Sequence, residues 1–171
     1  MKYLVTGSSG LIGNQIILDL EQSGQTVYSC YNNIKPLYGI PTKLNLLNLD
    51  DISTTFKTIQ PDVIIHSAAL TDVEKCEMEP ELANSINTKA TKVIANEANS
   101  LNSFLIYLST DYVFDGKKGL YNEIDSTNPL NHYGKTKIGG EKAIKNCTSK
   151  WSIIRTSTPF GTNSFKKTFP V

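Results

Sequence analysis

The chain has 171 residues, 39% of them hydrophobic and 19% charged, with a formal charge of +1. That length suits one domain with a substantial core and is short for two. Near-neutral charge without a basic block gives no electrostatic support for a nucleic-acid or anionic-membrane partner, and apolar runs such as 62–70 are far too short to span a bilayer.

Residues 2–7, KYLVTG, read as a buried strand, and 10–24 as a helix with Ile12, Ile16 and Leu20 one turn apart and Gly24 at its end. A second strand is expected at 25–31, with Cys30 in its core, then a Pro/Gly/Asn loop and a short strand at 43–47. Asp50 or Asp51 is expected to cap a helix that runs to about Gln60. Pro61-Asp62 breaks the chain into the strand VIIHSA, where His66 reads as a hydrogen-bonded core histidine. A long helix should start at Pro80 and run through 100, followed by the strand SFLIYLST and an irregular loop at 111–131. A helix over about 132–147, capped by His132, leads to the strand WSIIRTS, with Trp151 in the core. Strands separated by helix-length segments imply right-handed crossovers and a doubly wound parallel sheet, a Rossmann-type α/β fold.

The first ten residues lack the apolar stretch and cleavage site of a signal peptide. Cys30, Cys76 and Cys147 are odd in number and without metal spacing, so a cytoplasmic chain with free thiols and no metal site is expected. The last stretch, TPFGTNSFKKTFPV, reads as the start of something that continues, and Lys166 and Lys167 within it as solvated surface.

Gly7, Gly10 and Gly13 fall at the end of the first strand and the start of the first helix. The first glycine permits a tight turn, the second lets backbone approach a diphosphate, and the third lets helix pack on strand. Unpaired N–H groups at the helix start then face the anion. The second strand ends in Tyr31, Asn32 and Asn33, with no acid to bind a 2′-hydroxyl, and Lys35 follows. NADPH is therefore the expected cofactor, with NADH as the alternative.

Tyr133 and Lys137 share one face of the 132–147 helix. A free tyrosine, with a pKa of about 10, is a weak acid for neutral pH. An ammonium about 4 Å from a phenolate, at an effective dielectric near 20, contributes about 4 kcal/mol, or roughly three pKa units before desolvation. Ser109-Thr110 at the end of a strand offers a hydroxyl to hold a substrate carbonyl. A Tyr-x-x-x-Lys pair alone is common on helix surfaces; its meaning comes from the glycine loop and the strand-end hydroxyl.

With GSSGLIG, PDVIIHSAALTDVEKCE, INTKAT, LSTDYVFDG, NPLNHYGKTKIGGE and IIRTS in this order, the chain resembles the extended short-chain dehydrogenase/reductases and, within them, the dTDP-4-dehydrorhamnose reductase family. The resemblance implies a proton-donating Tyr133, with Lys137 its electrostatic partner and a ribose ligand and Thr110 the carbonyl-orienting hydroxyl. It implies that Gly7, Gly10, Leu11, Ile12 and Gly13 hold the diphosphate and that Asn45 and Leu46 lie near the adenine. Ala68, Ala69 and Leu70 would run along the cofactor, with Asn87 near its nicotinamide side. Lys75, Asp111 and Tyr112 would approach a nucleotide-sugar substrate. Asn45 stands where the family often has an acid, and Thr158 where it often has a tryptophan. The expected organisation is a dinucleotide-binding domain over 1–157, with 158–171 opening a truncated substrate-binding region. The implied activity is NADPH-dependent reduction of the 4-keto group of dTDP-4-dehydro-L-rhamnose. The alternatives are a regulatory subunit like that of methionine adenosyltransferase, or a nucleotide-sugar epimerase or dehydratase. A homodimer is compatible with either.

Overall fold

The structure, a computed structural model, describes residues 1–161. Six parallel strands form one sheet: β1 (Lys2–Thr6), β2 (Thr26–Tyr31), β3 (Ile40–Lys43), β4 (Val63–His66), β5 (Phe104–Thr110) and β6 (Trp151–Thr156), in the spatial order β3-β2-β1-β4-β5-β6. Between them lie α1 (Leu11–Gln22), α2 (Leu49–Ile59), α3 (Val73–Met78), α4 (Pro80–Asn84), α5 (Ala90–Ser100) and α6 (His132–Cys147).

Helices cover both faces because successive strand residues point to opposite sides. In β1, Leu4 packs with Phe56 of α2, Ile94 of α5 and Ile144 of α6, whereas Val5 packs with Ile17 of α1. Ile64 and Ile65 of β4 divide in the same way. Both faces are buried at these positions, so Leu4-Val5 and Val63-Ile64-Ile65 are continuous apolar runs rather than alternating ones.

Chain direction across the sheet reverses between β1 and β4, which pair in register from Tyr3↔Val63 to Thr6↔His66. At such a switch point the loops leaving neighbouring strands diverge and open a crevice beyond their C-terminal ends. The loops after Thr6 and His66 are tied together there: Ser67 Oγ donates to Thr6 O at 2.5 Å, and the Ala68 N–H donates to Thr6 Oγ1 at 3.2 Å.

Several elements depart from expectation. The third strand is Ile40–Lys43 rather than 43–47; at this sheet edge Pro41 is tolerated, and Asn45 Oδ1 accepts from the Leu47 N–H, turning the chain where a strand was expected. Asn48, not Asp50 or Asp51, caps α2, accepting from the Asp51 N–H at 3.3 Å. Both aspartates then lie in the first turn, where the helix dipole favours them. Asn131, not His132, caps α6, through Gly134 N–H at 2.8 Å. Trp151 is half-buried rather than core. The long helix starts at Pro80 as expected but passes through a π-helical segment, Ser85–Lys89, before α5. Helix α3 was not anticipated; its signal is Asp72, whose Oδ1 accepts from the Lys75 N–H at 2.9 Å.

Candidate functional site

Gly7 leaves β1 with φ +71°, a conformation that suits glycine, and a Cβ on it would sit 2.8 Å from the Ala68 amide nitrogen. A Cβ on Gly13 would collide with the Gly7 carbonyl oxygen. The Gly10 N–H donates to Gly7 O at 2.9 Å, and the first bond of α1 runs from Asn14 N–H to Gly10 O at 2.9 Å. The N–H groups of Leu11, Ile12 and Gly13 therefore precede the helical ladder, and α1 has neither a capping side chain nor an acid in its first turn. This is a cradle in which small residues and helix geometry leave room and positive potential for a phosphate. The residues fit a dinucleotide.

The cradle opens into a cleft of about 500 Å³. Gly7, Gly10, Leu11, Ile12 and Gly13 form its floor; Asn32, Asn45 and Leu46 line one end, and Ala68, Ala69 and Leu70 a side. Tyr31, Asn33 and Ile34 also line it, whereas Lys35, one residue further on, is exposed outside it. Asn87 is 1% exposed and its amide is committed: Oδ1 accepts from Leu70 N–H at 2.8 Å, and Nδ2 donates to Leu70 O and to Thr136 Oγ1, both at 3.0 Å. Asn87 thus shapes the cleft by fixing Leu70.

Leu70 also packs beside Tyr133, with Cys76 and Ala83, which brings α6 to the same cleft wall. Strand alternation separates the two hydroxyls at the end of β5. Thr110 faces Tyr133, while Ser109 donates to Glu141 at 2.6 Å. Thr110 Oγ1 donates to Asp111 Oδ1 at 3.1 Å and accepts from the Tyr112 N–H at 3.2 Å, opening a 3-10 turn over Asp111–Val113. The Tyr112 ring meets the Tyr133 ring edge-on, with centroids 5.7 Å apart.

The electrostatics differ from the simple Tyr–Lys picture. Burial raises Tyr133 above the usual tyrosine range, and the hydrogen bond with Thr110 offsets this in part. Lys137 does not lower the phenol here, because its ammonium is engaged beneath the helix. Nζ donates to Leu108 O at 2.7 Å and sits 4.1 Å from the centre of the Tyr107 ring. Burial brings Lys137 down to about 7, with Glu141 acting in the opposite direction. At rest the phenol is therefore protonated and the lysine head is desolvated.

Lys75 lies on α3, 3.9 Å from Glu79, and lines neither this cleft nor the broader groove beside β6. Asp111 and Tyr112 line that groove. Asp115 is a loop brace: it accepts from Tyr121 Oη at 2.5 Å, Asn128 Nδ2 at 3.0 Å and the Lys117 N–H at 3.1 Å, which hold it at about 2. Sequence reasoning missed Glu141 and Arg155, although Glu141 stands one turn from Lys137 in the order that a buried helix face would show. Thr158 is exposed, and Lys166 and Lys167, like most of 158–171, lie outside the described residues. Among the described residues all three cysteines are free, no cluster of His, Cys, Asp and Glu could hold a metal, and no helix is long and apolar enough to cross a membrane.

The sheet order and the glycine cradle at the switch point define a Rossmann-type protein with a dehydrogenase/reductase fold. Residues 1–170 match the RmlD substrate binding domain, and the chain belongs to the dTDP-4-dehydrorhamnose reductase family. It is 36% identical over 171 residues to dTDP-4-dehydrorhamnose reductase of Salmonella typhimurium, covering 98% of this chain and 55% of that protein. It is 38% identical over 161 residues to methionine adenosyltransferase 2 subunit beta of Danio rerio, covering 94% and 48%. A crystal structure of dTDP-4-dehydrorhamnose reductase from Bacillus anthracis in complex with NADP superposes with a TM-score of 0.82 at 31% identity, covering 95% of this chain and 56% of that one. The chain thus spans about half the length of the curated relatives it matches.

Proposed function

We propose that the protein is an NADPH-dependent reductase acting on the 4-keto group of dTDP-4-dehydro-L-rhamnose, with residues 1–157 as its dinucleotide-binding domain. The observation that carries this reading is the meeting of Thr110 and Tyr133 with Lys137 on a helix that shares its Leu70 wall with a phosphate cradle. The NADP complex of the Bacillus anthracis relative and the activity named for the Salmonella relative support it.

When bound, the nicotinamide supplies a hydride to the carbonyl carbon. The chain's own residues do the rest. The N–H groups of Leu11, Ile12 and Gly13 hold the diphosphate, and the acid-free end of β2 removes the repulsion a carboxylate would exert on a 2′-phosphate. Thr110 Oγ1 holds the substrate oxygen by turning to it the proton that it gives Asp111 at rest. Tyr133 donates its phenolic proton to that oxygen; at rest burial keeps the phenol protonated and makes it a weaker acid than free tyrosine. To favour the phenolate left behind, the Lys137 ammonium must leave the Leu108 carbonyl and turn to the ring. In this reading Asp111 and Tyr112, which line the groove beyond Thr110, meet the sugar.

A second reading, a regulatory subunit of methionine adenosyltransferase, is favoured by the similarity to the Danio rerio protein. One pair of assays separates the two. The purified protein should oxidise NADPH when given dTDP-4-dehydro-L-rhamnose, with the sugar alcohol formed in equal amount. No turnover, together with retention of a methionine adenosyltransferase catalytic subunit in a pull-down, would replace the reductase reading with the second one.

A further inference from the structure

Helix α6 carries a second buried charge one turn beyond Lys137. Glu141 is 3% exposed, and its carboxylate accepts from Ser109 Oγ at 2.6 Å, Arg155 Nε at 3.0 Å and Arg155 Nη2 at 2.7 Å. Ser109 and Arg155 are register partners on β5 and β6, so two neighbouring strands aim three donors at one carboxylate. Burial alone would push this acid up; hydrogen bonds from Arg155 and Ser109 outweigh it and hold Glu141 below the usual carboxylate range. The proposed reduction gives this arrangement no direct part.

Its neighbour Lys137 is 2% exposed, and the groups it touches, the Leu108 carbonyl and the Tyr107 ring, are uncharged. The titratable groups packed around it are few. His66 of β4 and Tyr107 of β5 are fully buried, and burial opposes charge on both. Tyr133 lies one turn before it on α6, and its phenol is protonated. Arg155 of β6 is fastened to the carboxylate of Glu141, which is the anion of this set. We propose that Glu141 is a positioning residue that acts through Lys137: anchored by Ser109 and Arg155, it keeps the lysine an ammonium inside the core, ready for the phenolate that Tyr133 becomes. The proposal rests on the Tyr133–Lys137 reading, and its physical half can be tested without any turnover.

Side chains one helical turn apart are neighbours at roughly 6 Å, and a carboxylate at that range, at an effective dielectric near 20, moves an amine by about one to two pH units. The protein, carrying carbon-labelled lysine, is titrated by NMR, with the Lys137 Cε resonance assigned by its loss in Lys137→Met. In Glu141→Gln the Lys137 midpoint should fall by about one to two pH units. An unchanged midpoint in the folded variant overturns the proposal. Should Glu141→Gln not fold, the double variant Glu141→Met/Arg155→Met removes both charges and keeps bulk; a smaller fall is expected, and no fall overturns the proposal. In the reductase assay, the alkaline limb of the kcat profile should move down with the NMR midpoint, leaving KM for the sugar in place, which a loss of folded protein would not produce. If the parent shows no turnover, the reductase reading fails and the titration still decides the role of Glu141.

Discussion

At the glycine cradle the chain offers backbone; along α6 it offers side chains. The cradle works by subtraction, since Gly7 and Gly13 remove atoms that would strike Ala68 and the Gly7 carbonyl, and the N–H groups at the start of α1 are left for an anion. The α6 region works by burial. Lys137 and Glu141 are 2% and 3% exposed, and each is held by donors or acceptors on β5 and β6. The difference teaches where each region can fail: the first through added volume, the second through a charge left without its partner.

The largest expected effect lies in the side-chain region. Arg155→Ala would leave Glu141 buried without its bidentate partner, at a cost of about 3–5 kcal/mol, read as a lower urea midpoint. Loss of less than about 1 kcal/mol would show that water replaces the guanidinium and that this region is less dry than described.

A pH test sharpens the same point at His66. Its ring bonds Thr6 Oγ1 at 2.7 Å and Thr91 Oγ1 at 3.0 Å, and burial lowers it from 6.5 to about 3. Between those values the unfolded chain binds a proton that the folded one refuses. Its contribution is therefore whole above 6.5 and is lost as pH falls toward 3, by about 1.4 kcal/mol per unit within that window. Urea unfolding at pH 7 and pH 5 should differ by about 2 kcal/mol in the parent, and by clearly less in His66→Asn.

The backbone region should respond to volume. Gly13→Val forces a side chain against the Gly7 carbonyl, and overpacking of about 1–3 kcal/mol predicts NADPH binding weakened by about 10- to 100-fold, with α6 undisturbed. Fluorescence titration of the reduced nicotinamide measures it. Parent-like affinity would mean that the cradle is not where the diphosphate sits.

The same contrast explains what could be read from the amino-acid sequence. Glycines at 7, 10 and 13 after an apolar run are legible because the constraint on them is steric and local. The α6 boundaries were legible too, from Asn-Pro before and a strand after. What Lys137 touches was not, since it depends on how deep α6 sits on β5, and the same depth raises Tyr133 where a simple ion-pair argument lowers it. The role of Asn87 depends on the π-helical segment that turns it toward Leu70, and no local propensity announces that segment. The strand expected at 43–47 failed because the Asn45 side chain competes for backbone N–H groups that a ladder would use.

The account's central claim is that the buried Tyr133 phenol supplies the proton in a carbonyl reduction. Its most direct test is turnover of Tyr133→Phe with NADPH and dTDP-4-dehydro-L-rhamnose, beside NADPH affinity measured on the same sample. The prediction is a fall in kcat of about 10²- to 10⁴-fold with the NADPH dissociation constant unchanged. Turnover at the parent's rate would contradict it.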